Sequence, residues 1–86
     1  MSFTHKQVWR AIDRLAEKHG LSASGLARRG GLDATAFNPS KRTTREGRHR
    51  WPGTETLAKI TGATGETLES FVALMRGEKT AARKKK

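Results

Sequence analysis

Apolar residues recur with the period of an amphipathic helix near the start of the chain. The apolar positions follow the i, i+3, i+4, i+7 spacing and are Val8, Trp9, Ile12, Leu15 and Ala16. This pattern predicts a first helix over residues 4–18, with Thr4 as its N-cap. Gly20 supplies a stop that can adopt positive φ, and Trp9 is predicted to be a core residue.

A shorter apolar face follows in the next segment. Ser22 is a good N-cap for a second helix over residues 23–29, in which Leu26 and Ala27 face inward. The glycine pair Gly30-Gly31 is expected to end this helix.

The middle of the chain begins with the pattern of a short helix, and the residues after it have no helical period. Asp33 can cap a third helix over residues 34–38, but Pro39 removes a backbone donor and biases Asn38 away from helical backbone. Lys41 and Arg42 are therefore predicted to leave the face of that helix. The following residues 41–52 have no helical period, and they predict a long basic loop or a small hairpin with Gly47 in the left-handed turn position.

Two more helices are predicted after Pro52. Thr54 can cap a helix whose inner face carries Leu57, Ala58 and Ile60, and which closes at Gly62 or Gly65. Thr67 can cap a last helix from residue 68 to 75 or 76, with an inner face formed by Leu68, Phe71, Val72 and Met75.

These elements predict an all-α fold, a compact bundle of about five short helices that contains a helix-turn-helix. A chain of 86 residues is long enough for one small core. We expect one domain over residues 4–76, and residues 77–86 as a disordered basic tail or the start of an interdomain linker.

The charge of the chain indicates a polyanionic partner. The formal net charge is +10, with +5 in residues 28–50, +5 in residues 76–86 and −2 in residues 51–75. Either basic block alone could be a solvated face, but this segregation favours a nucleic-acid binding surface.

Other function classes find little support in the sequence. There is no cysteine, the longest apolar run is five residues, and the first residues lack the pattern of a secretory signal. The three histidines, His5, His19 and His49, lack the spacing of a metal motif. We therefore expect a cytoplasmic, nucleoid-associated protein that is not an enzyme, crosses no membrane and uses no metal or cofactor.

The segment Leu26-Ala27-Arg28-Arg29-Gly30-Gly31-Leu32-Asp33-Ala34-Thr35-Ala36-Phe37 resembles the helix-turn-helix of the Xre family of phage-repressor-like DNA-binding domains. In that motif a small residue, here Ala27, allows the two helices to approach. The turn glycine is then Gly31, the apolar plug is Leu32, and Phe37 packs the recognition helix against the core.

A closer resemblance covers roughly residues 4–76 and runs through Gly25-Leu26-Ala27-Arg28-Arg29, Phe37-Asn38-Pro39-Ser40-Lys41-Arg42 and Arg50-Trp51-Pro52-Gly53-Thr54-Glu55. These pieces are similar to the N-terminal DNA-binding domain of bacterial regulators that carry a LexA-like peptidase domain. The peptidase part is absent, so self-cleavage does not carry over. The chain is either a domain cut near an interdomain linker or a natural stand-alone relative.

The resemblance implies a sequence-specific double-stranded DNA-binding regulator of transcription, a repressor, which could bind a two-half-site operator as a homodimer. Expected base contacts come from Ala34, Thr35 and Asn38, although Asn38 could equally be a simple helix terminator before proline. The expected phosphate contacts are Ser22, Ser24, Arg28, Lys41, Arg42, Arg45, Arg48 and Arg50.

Two other classes of function stay open. A small basic RNA-binding or ribosome-associated protein has the same composition. The low aromatic content, the lack of tyrosine and the expectation that no aromatic pair faces solvent argue against a stacking platform for single strands. Trp51 could pack over the core under the basic loop, stack on an arginine or contact the DNA backbone, and packing over the core is the favoured interpretation. A protein-interaction module, such as an antitoxin or a corepressor adaptor, would leave a large apolar patch exposed.

Overall fold

The computed structural model describes residues 3–77, and these residues contain four α-helices. They are α1, His5–Lys18; α2, Ala23–Arg29; α3, Thr54–Thr64; and α4, Leu68–Met75. A single 3₁₀ turn spans Pro39–Lys41, and one isolated antiparallel bridge joins Thr43 to His49. The all-α prediction is confirmed, with four α-helices rather than about five. The predicted basic tail lies outside the described residues, except for Gly77.

The first helix begins and ends as its sequence predicts. Thr4 caps it: the Thr4 hydroxyl accepts a hydrogen bond from the Gln7 backbone N–H at 3.1 Å, and the Thr4 N–H donates to the Gln7 side chain at 2.7 Å. At the other end, Gly20 has φ +69°. All five residues of the predicted stripe, Trp9 among them, are buried, so α1 places one apolar face against the rest of the chain.

The core is formed by that face of α1 together with α4, α2 and α3. Helix α1 packs most extensively against α4, and α2 lies between α1 and α3. The largest fully buried side chains come from all four helices and from one turn: Phe37, Phe71, Ile12, Leu15, Leu26 and Ile60. The core therefore leaves the segment between α2 and α3 on the outside of the bundle.

Three details of the last two predicted helices are wrong. Thr54 is the first residue of α3 rather than its cap; the cap position is Gly53, which has no side chain to bond. Ala58 is exposed because the inward face runs through Leu57, Ile60 and Thr61.

The third error is Leu68, which is 62% exposed although its spacing matches the apolar face of α4. Leu68 is the first residue of α4, and helical side chains lean towards the N-terminus. Its side chain therefore lies beyond the edge of the core, one turn before the buried Phe71.

Glu66 joins the end of α1 to the segment that connects α3 and α4. Its carboxylate lies 2.6 Å from His19 Nε2 and 3.0 Å from Lys18 Nζ, and it accepts a hydrogen bond from the Ser70 hydroxyl at 2.8 Å. Burial alone would raise the pKa of Glu66, but the hydrogen bonds from Ser70, His19 and Lys18 outweigh it and lower the pKa from 4.5 to about 2.

The lowered pKa of Glu66 predicts a loss of stability in acid. A carboxylate whose pKa is lower in the folded state stabilises the fold above its unfolded pKa, and this contribution disappears as the pH falls towards the folded pKa. Between pH 4.5 and about 2 the free energy of unfolding should therefore fall by about 1–3 kcal/mol through this group, Lys18 being half exposed and partly screened.

The measurement is urea unfolding across that pH range for the wild type and Glu66→Gln. The variant should be less stable than the wild type near neutral pH, and its free energy of unfolding should change less as the pH falls. The control is Glu17→Gln, which alters an exposed carboxylate on α1 and should keep the wild-type slope. The same acid slope in Glu66→Gln as in the wild type would contradict the assignment.

Candidate nucleic-acid interface

The turn after α2 has the geometry that its two glycines predict. Gly31 has φ +76°, its N–H bonds to the Arg28 carbonyl at 2.9 Å, and the Leu32 N–H bonds to the Ala27 carbonyl at 2.8 Å. These two bonds form a Schellman motif. A Cβ at Gly30 would meet Ile60 Cγ2 at 3.1 Å, so the end of α2 approaches α3 closely. Ala27 is fully buried, as expected.

The predicted third helix over residues 34–38 is not a regular helix. The Ala36 N–H bonds to the Asp33 carbonyl at 2.9 Å and the Asn38 N–H bonds to the Thr35 carbonyl at 3.1 Å, which are the i→i+3 bonds of turns. Five residues before a proline are too few to complete an α-helical nucleus. Asn38 is extended, with ψ 147°, and Pro39 begins the 3₁₀ turn.

We call residues 33–38 the turn segment, and Asp33 stabilises its start. One oxygen of its carboxylate, Oδ1, accepts hydrogen bonds from the Thr35 N–H at 2.9 Å and from the Thr35 hydroxyl at 2.8 Å. These bonds lower the pKa of Asp33. Asp33 therefore caps a turn instead of a helix, and its exposed carboxylate is ionised at neutral pH.

Residues 42–50 form a short hairpin, which we call the basic hairpin. Its two arms meet at the bridge between Thr43 and His49, and the Thr44 N–H donates to the Arg48 carbonyl at 2.7 Å. Three residues make the turn, and the last of them, Gly47, has φ +84°. The hairpin interpretation and the position of its glycine are confirmed.

Hydrogen bonds hold both ends of the basic hairpin to α1. Trp9 Nε1 donates to the Arg50 carbonyl at 2.9 Å, and His5 Nε2 donates to the Arg42 carbonyl at 2.8 Å. The rings of His5 and His49 stack with their centroids 4.3 Å apart. The hairpin therefore has a fixed position on the flank of α1.

Arg42, an expected phosphate contact, is engaged inside the protein. Its guanidinium makes two bonds to the Asp13 carboxylate, at 2.7 and 3.0 Å, and two to the Phe37 carbonyl, at 2.9 and 3.2 Å. It also lies 4.8 Å from the centroid of the Trp9 ring. With its side chain only 19% exposed, Arg42 stabilises the junction of the turn segment, the hairpin and α1.

The other cations of this region are exposed. They are Lys41, Arg45, Arg48 and Arg50. Among residues 3–77, no carboxylate lies within ion-pair distance of any of these four side chains. One cation of the cluster is thus neutralised by Asp13, and four remain available to solvent.

The remaining expected site residues lie on α2 and the turn segment. Ser22 caps α2 by accepting from the Gly25 N–H at 3.1 Å, and its hydroxyl lies 3.1 Å from that of Ser24. Arg28 is exposed near the end of α2. In the turn segment, Thr35 is exposed and Ala34 and Asn38 are half-buried.

A cleft of about 340 Å³ lies between the turn segment and the chain that leads into α3. It brings together Thr35, Lys41 and Arg50 from the expected site, while the other expected residues lie outside it. Its wall also includes Asp33, Trp51 and Thr56, which are not among the expected base or phosphate contacts. This cleft combines an aromatic ring, cations and polar groups in one concave surface.

Contrary to the expectation, Trp51 is not packed over the core. It is 52% exposed, and it meets the equally exposed Phe3 edge-to-face with centroids 6.2 Å apart. The expectation that no aromatic pair faces solvent is therefore also wrong. The residues around Trp51 carried a signal, since Pro52 prevents Trp51 from joining the apolar stripe of a helix.

Comparisons with known proteins add no relative to this description. No family model matches the chain, and neither a curated protein nor a solved structure matches it. Within residues 3–77, no helix has the length and apolar character needed to cross a membrane. The same residues contain no group of three or more histidine, aspartate or glutamate side chains that could hold a metal ion.

Proposed function

We propose that this protein binds double-stranded DNA and regulates transcription in a sequence-specific manner. The observation that carries the proposal is the set of four exposed cations on and beside the basic hairpin, none of which has a carboxylate of residues 3–77 within ion-pair distance; the charge of Lys41 acts weakly on Asp33. The hairpin is held against α1 by Trp9 and His5, so the backbone that carries these charges has a fixed position on the surface.

The arrangement of these cations favours contact with phosphates. Like charges held close together on a fixed backbone repel each other, and a polyanion relieves this repulsion while releasing its own counterions. Arg42 strengthens the arrangement indirectly, because its bonds to Asp13 and Phe37 keep the first arm of the hairpin in place. Phosphate contacts would then orient the protein on the duplex.

Base recognition is assigned to the turn segment that precedes the hairpin. The side-chain amide of Asn38 has no hydrogen-bond partner among the described residues, and an asparagine amide can bond in a bidentate manner to adenine in the major groove. Thr35 is exposed, although its hydroxyl proton is donated to Asp33. Repression and a homodimer on two half-sites are parts of the proposal that follow from the resemblance to phage repressors.

Selection of duplexes from a random DNA pool near physiological salt, with RNA as competitor, tests the proposal. An enriched motif that survives the competitor supports it, and two half-sites about one helical turn apart would support a dimer. Retention of RNA in place of DNA would replace it with the alternative of a basic RNA-binding protein. Capture of all duplexes alike would leave phosphate binding and remove sequence specificity.

Substitutions should separate positioning from recognition. Arg45→Ala and Arg48→Ala are each expected to weaken binding to all duplexes equally and to lower the slope of log K against log salt by about one unit. Asn38→Ala should lower the binding free energy by roughly 1–3 kcal/mol and should relax the base preference at one position of the site only. The measurements are binding titrations over a series of salt concentrations and repeated selection with the variant.

The control is Lys59→Ala, which removes the same charge from α3, where Lys59 lies 3.7 Å from Glu55. A salt slope reduced as much by Lys59→Ala as by Arg48→Ala would mean that total charge, not the hairpin, determines binding. An unchanged selected motif for Asn38→Ala would make Asn38 a structural residue before Pro39.

A further inference from the structure

Trp51 has a surface and a setting that the contacts with phosphates do not explain. About half of its side chain is open to solvent, although a large aromatic ring loses free energy when it is left in water. Its neighbours Phe3 and His5 meet it edge-on, with centroids at 6.2 and 5.9 Å and interplanar angles of 61° and 77°. The planes of both rings are strongly inclined to the indole, so neither Phe3 nor His5 is stacked in parallel on it.

The cleft beside Trp51 is lined by both apolar and charged side chains. Its lining includes the buried or partly buried apolar Leu32, Ala36 and Phe37, together with the exposed charged side chains of Asp33, Lys41 and Arg50. A volume of about 340 Å³ lies at the lower end of the range that small-molecule sites occupy. The cleft is therefore large enough for one flat ring and has an aromatic wall to receive it.

Asp33 favours the base over the phosphate of a nucleotide at its own part of the cleft. Its pKa is lowered by the bonds from Thr35 and, to a smaller extent, by the charge of Lys41, so the exposed carboxylate is negative and disfavours a phosphate directly beside it. Its Oδ2 accepts no hydrogen bond from the described residues and can accept one from a base amino group. A phosphate is favoured by the exposed Lys41 and Arg50, and a base is favoured by the ring of Trp51 and the apolar part of the lining.

We infer that the cleft beside Trp51 binds one unpaired nucleobase, which stacks on the indole while its flanking phosphates contact Lys41 and Arg50. The phosphate contacts of this site rest on the proposed DNA-binding function. The base itself is a further ligand, since a fully paired duplex keeps its bases stacked inside. Base stacking on an aromatic side chain is tolerant of sequence and is strong enough to retain a base outside the helix.

The experiment compares three DNAs with the same paired sequence: a perfect duplex, the same duplex with one extra unpaired adenine nucleotide, and the same with an abasic residue in place of that adenine nucleotide. The abasic DNA has the added phosphate and the flexibility of the bulge without the base. The wild-type protein should prefer the adenine bulge over the abasic bulge by about tenfold. Trp51→Ala should abolish this preference, and Trp51→Phe should keep a large part of it.

The matched control is Leu68→Ala, which shortens another exposed apolar side chain, on α4, and should keep the wild-type preference. Circular dichroism melting verifies that each variant folds. Equal binding of the two bulged duplexes by the wild type would overturn the inference while leaving duplex binding intact. Weak binding of all three DNAs would overturn the proposed function with it, and a change in self-association of Trp51→Ala without any base preference would assign the patch to contacts between copies.

Discussion

Replacing Phe37 with alanine should lower the free energy of unfolding by about 3–5 kcal/mol. The side chain is 1% exposed and meets the Trp9 ring edge-to-face with centroids 6.0 Å apart. Between Ala27 and Ile60 it is the one hydrophobic side chain that is fully buried. Since small domains are stable by only about 5–15 kcal/mol, the loss should bring this protein close to its unfolding threshold.

Urea unfolding followed by circular dichroism measures the effect, and Phe3→Ala is the matched control. Phe3 is 53% exposed, so its removal should change stability by about 0.5 kcal/mol or less. Phe37→Leu should recover much of the loss because it refills the site with an apolar side chain. A loss below about 1 kcal/mol for Phe37→Ala would show that the turn segment is not part of the cooperative core.

Arg42→Ala should cost about 2–3 kcal/mol of folding free energy, far more than an ordinary surface arginine. The substitution leaves the Phe37 carbonyl without the two bonds that the guanidinium donates, and it removes the cation from the face of Trp9. The ion pair itself should contribute little, because Asp13 is half exposed and screened by solvent.

This ranking can be measured with three further variants. Asp13→Ala should cost less than about 1 kcal/mol, and the exposed Arg45→Ala about 0.5 kcal/mol or less. Arg42→Lys should recover only part of the loss, since an ammonium group cannot make the forked bonds of a guanidinium. If Asp13→Ala were as costly as Arg42→Ala, the ion pair rather than the carbonyl contacts would hold the hairpin.

The helices of this protein could be predicted because their signals are local. The Thr4 and Thr67 hydroxyls bond three residues ahead, and Gly20 and Gly31 reverse the chain through their own backbone angles. The hairpin could be predicted for the same reason, since Gly47 determines its turn. In each case the residues that decide the structure are within a few positions of each other.

The errors at the candidate site arise from contacts between distant residues. Arg42 looks like any other cation of a basic run, and only its meeting with Asp13 and Trp9, more than 25 residues earlier, removes it from solvent. Trp51 looks like a core residue by type, but the apolar interior is already filled by Phe37 and the helices. The third helix does not form because Pro39 follows Asp33 too closely. The cap of Asp33 cannot stabilise a helix in so short a segment.

The attachment of the basic hairpin to α1 also constrains the order of folding. The bonds from His5, Trp9 and Asp13 to residues of the hairpin span 37, 41 and 29 positions in sequence. Closing chain loops of this length has an entropic cost before any contact is gained, whereas α1 has a local cap and an apolar face that can dock on α4. We therefore expect the cationic surface to form only after α1, and partly folded chains to carry its charges on a segment that has not yet reached its final arrangement.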